Sequence, residues 1–564
     1  MRQRGNETSF AAPANWAESV RRSTGRKALA FASRRSEWLR CLAVPLFLSL
    51  LCLRSVFHHG YLLQVDIVFG PRAAPISTGV SAPISALQAV GVHVFGGDVA
   101  GKMYAVGALF FAGFAPMVLF RRAPWYAQSA AGVLGALNPW VYDRMVEGQW
   151  GVVVAGSGLF LWLAAWEALQ VRPGFTRSAV VAACGAAITA FDPHVLGLIV
   201  VLTLVGALWT RVWRDPSQLR WTTVSVGLLA LLLLPGAVSF FLGKFSGSYV
   251  AIRQFNHADF AFFRSSTSPR YGLLVNLLGL YGYWGERIGR FPQATGGVGW
   301  WPITTAVVLV AALLGTWLRQ DRAWLLLCGL IGLGLSASTA LPGGVDAASH
   351  LASWIPLVGV YREPEKWSAL WLLALVVLAV GAVEALASPS MRRASSRAAS
   401  ALAYLVVLAA LAPAGVSQAR ALPTIVSPVR YPGYWYETAS YLARVVPRRA
   451  PVAVLPWHLY QPLRVSEGRL IADPAQVFFP GRLIVPHNVE IPGRATEIIS
   501  RYDRIGLAGR ADGRCNLART LRREGIRWAV VLDGAESAQT VLHLRRCGYS
   551  LVQGRPGFTA LLHG

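Results

Sequence analysis

A chain of 564 residues that is 54% apolar and only 14% charged, with 21 Trp and a mean hydropathy of +0.45, reads as a polytopic membrane protein rather than a soluble enzyme. Its apolar runs last about 15 to 22 residues without two-residue alternation, which excludes a membrane barrel and leaves helices. The formal net charge of +26 sits mostly beside those runs as arginine, so nucleic acid is not an expected partner.

In chain order, residues 1–40 carry nine Arg and Lys against three acids and read as a basic cytoplasmic tail. Arg21 and Arg22 form a pair, but the apolar segment after them is too short for a twin-arginine signal, and the first span reads as an uncleaved anchor. About eleven spans are expected in a transmembrane domain over 41–416: 41–57, 103–120, 125–141, 150–170, 178–192, 194–210, 221–243, 301–318, 323–338, 367–387 and 398–416. Counted from an inside start, the short inner loops hold Arg121 and Arg122, Arg172 and Arg177, Arg211, Arg214 and Arg220, Arg319 and Arg322, and Arg392, Arg393 and Arg397. That arginine bias predicts a cytoplasmic N-terminus in the plasma membrane. The polar motifs all collect on the opposite, outer side.

The first outer segment, HHGYLLQVDIVFGPR, surrounds Asp66 with apolar side chains. A carboxylate so placed is raised in pKa and suits a general base, although a helix cap or a pair with Arg72 explains it equally well. Next, NPWVYDRMVEGQWG sets Asp143, Arg144, Glu147 and Gln149 between two apolar runs, and Asn138-Pro139 can break the helix there. An interfacial ion pair of Asp143 with Arg144, between belt aromatics Trp140 and Trp150, is the plainer alternative. The corner Phe191-Asp192-Pro193-His194 joins two spans and leaves a carboxylate and an imidazole at the surface, as a turn or as chemistry. Residues 244–300 contain semi-apolar helical stretches expected to lie along the outer surface. Finally, VYREPEKW holds Arg362, a fork suited to phosphate oxygens, Lys366 as a point charge, and Glu363 and Glu365 to orient them. An interface anchor explains Lys366 and Trp367 but not the whole string.

GYLLQVDIVFGP, NPWVYDRMVEGQW and YREPEKW, over about residues 41 to 460, are similar to motifs of bacterial multi-pass proteins related to the YfhO-like proteins and to the GT-C class of membrane glycosyltransferases. The resemblance implies a sugar donor linked to a polyprenyl phosphate and a first-loop carboxylate, here Asp66, that deprotonates the acceptor. GT-C loops often pair two acids; here the next acid after Asp66 is Asp98.

Residues 417–564 lose hydropathy and read as an extracytoplasmic α/β domain, with strands at 451–455, 528–532 and 558–562 and helices at 517–524 and 538–547. It lacks nucleotide, zinc-protease and CxxC motifs, so positioning an acceptor fits it better than a second active site. Cys515 and Cys547 share this domain and are expected to pair, whereas Cys41, Cys52, Cys184 and Cys328 lie in spans.

The expectation is therefore a mainly α, GT-C-like polytopic transferase that moves a sugar from a polyprenyl-phosphate donor to an envelope glycan or lipid on the outer face, among membrane lipids. Asp66 is the expected base. Arg144, Arg362 and Lys366 are the expected phosphate ligands, with Asp143, Glu147, Gln149, Asp192, His194, Glu363 and Glu365 in support. The sequence names no cofactor and leaves a divalent metal open. The competing class is a non-catalytic transport or assembly protein that binds a lipid-linked polymer on the same polar face.

Overall fold

The computed structural model describes residues 37–76, 81–242, 250, 252–289, 292–388, 393–486, 500–510 and 515–564. The expected basic tail thus lies almost wholly outside the described residues. Helices fall on every expected span: α1 (37–52), α2 (Ala82–Phe95), α3 (Gly97–Leu119), α4 (Trp125–Ala136), α5 (Pro139–Glu147), α6 (Trp150–Val171), α7 (Phe175–Phe191), α8 (Val195–Thr210), α9 (Pro216–Leu242), α10 (Trp301–Leu318), α11 (Trp324–Ala337), α12 (Ser368–Leu386), α13 (Arg393–Ala410) and α14 (Val416–Ile425). Among the described residues, seven helical stretches are long and apolar enough to cross a membrane, and α2, α7 and α8 are shorter apolar helices.

Two departures from expectation have clear causes. The α2 helix lies inside what reads as the first outer segment, where Pro83 occupies its first turn, a position at which a missing N–H costs nothing. The expected span 125–141 stops at Ala136 because the Asn138 side chain accepts from Val141 N at 3.0 Å while donating to Leu134 O at 2.9 Å and Gly135 O at 3.0 Å. Asn138 therefore closes α4 and opens α5 with one side chain.

The packing sorts the helices by burial. α12 is apolar on every side and buried along nearly its whole length, with α10 and α11 against it. Close approach is needed there, since a Cβ at Gly315 of α10 would fall 1.8 Å from the Leu378 carbonyl oxygen. α9, also strongly apolar, is hardly buried at all, as suits a helix facing lipid.

Beyond α14 and α15 (Gly433–Val445), a five-stranded sheet has the order β4-β1-β5-β7-β6, with β1 (Pro451–Leu455) parallel to β4 (Arg482–Ile484) and β5 (Trp528–Val531), and β7 (Ala560–His563) antiparallel to β5 and β6 (Ser550–Gln553). α16 (Asn516–Arg523) and α17 (Ser537–Arg546) complete it, and Cys515, just before α16, is bonded to Cys547, just after α17, with α-carbons 5.4 Å apart. A separate hairpin, β2 (Tyr460–Pro462) with β3 (Leu470–Ala472), leaves the sheet and returns to the helical domain. There Ala472 N donates to Gln64 O at 3.2 Å, and Arg469 Nη1 donates to Ile425 O at 2.6 Å.

Segments between α9 and α10 do not simply lie on the outer surface as expected. Phe260, Phe263, Tyr281, Tyr283 and Trp284 are buried, because five large aromatic side chains lose too much by staying in water.

Candidate active site

The site begins with a turn. α5 ends at Gly148 in the left-handed region (φ +89°), and a Cβ there would meet Gln64 Cβ at 2.7 Å, so only glycine lets the loop between α1 and α2 lie against this corner. The loop is then held by Asp66 N, which donates to Glu147 O at 3.0 Å. Gln149, one residue past the turn, is the hub of a buried polar network.

Arg144 Nη1 donates to Gln149 Oε1 at 2.8 Å, and because arginine cannot accept, this fixes which end of the amide is oxygen. The Gln149 amide nitrogen therefore points the other way. It donates to Asp66 Oδ2 at 2.8 Å and to Glu363 Oε2 at 3.3 Å, bridging the two carboxylates. Glu363 also faces Lys366 Nζ at 3.4 Å and Arg144 Nη1 at 3.6 Å. Burial pushes the Glu363 carboxyl up, but the Lys366, Arg144 and Arg362 charges outweigh it and hold it at about 2.

Behind Lys366 stands the corner pair. His194 Nδ1 lies 2.5 Å from Asp192 Oδ1, and Nε2 faces the Val360 carbonyl oxygen, with Lys366 Nζ 3.5 Å away. Burial opposes ionisation of Asp192, yet His194 and Lys366 hold its carboxyl below the usual range. The two expected motifs of the corner and of VYREPEKW are thus one network.

Asp66, Glu147, Gln149, Arg362, Glu363 and Lys366 line one cavity of about 500 Å³. The Asp66 side chain is open to this recess, but the enclosing walls displace bulk water, and that desolvation together with the Glu363 carboxylate pushes its carboxyl up. Arg362 is held differently from the other cations. Its guanidinium lies 4.2 Å from the Phe255 ring centroid and 4.8 Å from that of Phe263, and among the described residues it forms no ion pair or hydrogen bond; its Nε is buried without a partner.

Arg144 does not join this lining, which corrects its expected place among the phosphate ligands. It is buried, with Nη2 at 3.3 Å from Glu365 Oε1 and its guanidinium 4.9 Å from the Tyr283 ring centroid, so its fork is already occupied. Asp143 and Glu365 sit with it in a small separate pocket beside Tyr283 and Ser368. Sequence reasoning also missed Tyr460, Phe255, Phe262 and Phe263. Tyr460 OH donates to Asp66 Oδ1 at 3.1 Å from 394 residues away, and nothing in the local sequence YQP announces it.

Among the described residues no group of three or more His, Cys, Asp and Glu side chains is arranged to hold a metal ion. The Asp66 and Glu363 carboxylates are bridged by an amide instead.

A second recess of about 530 Å³ adjoins the first and shares Ile84, Gln88, Tyr104 and Phe191 with it. Its other walls, from α2, α3, α6 and α7, are almost wholly apolar.

No known family profile matches the chain, and no curated protein is similar enough to count as a relative. Among solved structures, it is similar over 94% of its length to the arabinofuranosyltransferase AftD from Mycobacteria, with 17% identity and a TM-score of 0.57, and it spans 40% of the length of that protein. Lower similarity is found to the oligosaccharyltransferase AglB from Archaeoglobus fulgidus in complex with an inhibitory peptide and a dolichol-phosphate (12% identity, 93% of this chain and 73% of that one, TM-score 0.40). ArnT from Cupriavidus metallidurans bound to undecaprenyl phosphate stands at the same level (12% identity, 96% and 98%, TM-score 0.41). The chain has the GT-C-type fold of polytopic membrane glycosyltransferases.

Proposed function

We propose that the protein transfers a sugar from a polyprenyl-phosphate donor to a hydroxyl of an envelope glycan or lipid. The observation that carries this reading is a cavity holding a carboxylate raised in pKa and a guanidinium that, among the described residues, forms no direct ion pair, opening into an apolar recess. Such a combination suits an amphipathic ligand with an anionic head and a hydrocarbon tail. The likeness to an arabinofuranosyltransferase supports sugar transfer as the chemistry.

In this reading Asp66 takes the proton of the acceptor hydroxyl as its oxygen bonds to the anomeric carbon. The bond from that carbon to the phosphate oxygen breaks, and its electron pair leaves with the lipid phosphate. Arg362 and Lys366 stabilise the charge that develops there, while Arg144, engaged by Gln149, Glu363 and Glu365, positions the network. Asp192 and His194 orient Lys366 from behind.

The test is Asp66→Asn, which is nearly isosteric and cannot accept the proton. Turnover of a polyprenyl-phosphate sugar is expected to fall by about 10² to 10⁴-fold with insertion and folding intact. In the wild type, turnover is expected to decline with acidity at a pH above the ordinary carboxylate value of about 4, because the raised Asp66 carboxyl must be ionised to act. Survival of turnover within a few fold in the variant excludes Asp66 as the base. A wild type that turns over no lipid-linked sugar across a donor screen favours transport or assembly.

A further inference from the structure

The hairpin β2–β3 belongs to the sheet domain, on whose core Ile471 packs, but it also reaches the helical domain. Ala472 N bonds Gln64 O two residues before Asp66, Leu470 lines the cavity, and Asp473 N donates to Leu459 O at 2.9 Å, which closes the hairpin's base. Tyr460 is carried to Asp66 by this arrangement. Its hydroxyl meets Oδ1, while Gln149 meets Oδ2, so each carboxylate oxygen has a separate donor from a separate domain.

We infer that Tyr460 is a positioning residue for the base: the outer domain completes the active site by holding the Asp66 carboxylate in the orientation in which Oδ1 receives the acceptor's proton. A carboxylate oxygen accepts two hydrogen bonds, so Oδ1 keeps room for a second donor, whereas Gln149 ties Oδ2 to the Glu363 and Arg144 network. Burial and the neighbouring Asp66 charge push the Tyr460 phenol well above its ordinary value, so it is a donor and not a competing base. The other charged groups lining the cavity are Glu147, Glu363, Arg362 and Lys366. Glu363 raises the Asp66 carboxyl, and Tyr460 and Gln149 oppose it. Losing the phenol O–H removes one of the two donors that favour the ionised form.

This inference rests on Asp66 being the base, and the experiment separates the two. Tyr460→Phe keeps the ring and removes only the donor. It is expected to lower kcat about 10-fold with KM unchanged, and to move the acid limb of the kcat profile to higher pH. In parallel, infrared difference spectra of the full-length protein in nanodiscs, with the Asp66 carboxyl band assigned by its loss in Asp66→Asn, are expected to show that carboxyl protonating at higher pH in Tyr460→Phe than in wild type. An unmoved carboxyl titration overturns the inference, whatever the activity. A fall in kcat with neither titration nor acid limb displaced also overturns it, because that is a structural effect. If the titration moves while neither protein turns over a lipid-linked sugar, the hydrogen bond stands and the functional reading fails.

Discussion

The two ends of the helical bundle both carry arginine and carboxylate clusters, and they are built on opposite plans. At the end bearing the α10–α11 turn, Arg322 forms a two-pronged pair with Glu167, both contacts 2.8 Å, and Arg319 holds Asp321 at 3.0 Å and Glu384 at 2.6 Å. Two cations meet three acids, every charge is answered, and the groups remain partly wet. This cluster staples α6, the α10–α11 turn and α12 together. At the other end Arg144 is held by Glu363 and Glu365 and Lys366 by Glu363 in a nearly dry setting, while Arg362, which forms no direct ion pair among the described residues, lies against two aromatic rings in a cavity it shares with Asp66, Glu147 and Glu363. One cluster pairs each cation directly with a carboxylate; the other leaves one cation to aromatic faces and to carboxylates across a cavity.

Three experiments break or sharpen this contrast. The largest effect is expected for Arg144→Met, which leaves two buried carboxylates without their shared partner and should cost about 3 to 5 kcal/mol of stability. Arg322→Met at the other end should cost only about 1 kcal/mol, since Glu167 can turn to water. Equal losses of thermal stability in detergent for the two variants would dissolve the distinction. Next, Arg362→Ala should leave stability nearly unchanged and reduce donor turnover about 10²-fold, with Arg362→Lys milder because charge is kept and the fork lost. A destabilised Arg362→Ala would mean that the cation staples Phe255 to Phe263 rather than awaiting an anion. The smallest perturbation is a label: cysteines introduced at exposed positions of 339–366 should react with an impermeant thiol reagent in intact cells, while ones at 172–177 should not. The reverse pattern would put the open cluster on the cytoplasmic side.

Much of the fold was legible because span length and hydrophobic patterning are local properties. Expected helices at 517–524 and 538–547 and strands at 451–455 and 528–532 agree with α16, α17, β1 and β5 within a residue. Of the expected site residues, Asp66, Glu147, Gln149, Arg362, Glu363 and Lys366 do meet at one cavity. Arg144 shows the limit. Its motif marked it as important, but whether a fork is free depends on partners more than 200 residues away, and sequence spacing does not report those. Tyr460 was invisible for the same reason, and Phe255 and Phe263 because an aromatic in an apolar stretch looks like core until a cation is found on its face.

The long reach from Asp66 to Tyr460 also sets an order of events in the life of each molecule. Helices emerge and insert as the chain is made, so Asp66 is in place while the 394 residues between it and Tyr460 are still being added, a wait on the order of a minute at ordinary synthesis rates. During that interval Gln149 can already grip one oxygen of the carboxylate, but the other has no fixed donor. A nascent chain that has assembled its bundle therefore holds the Asp66 carboxylate by one oxygen only, and the second donor arrives when the hairpin of the later-made sheet domain folds against it.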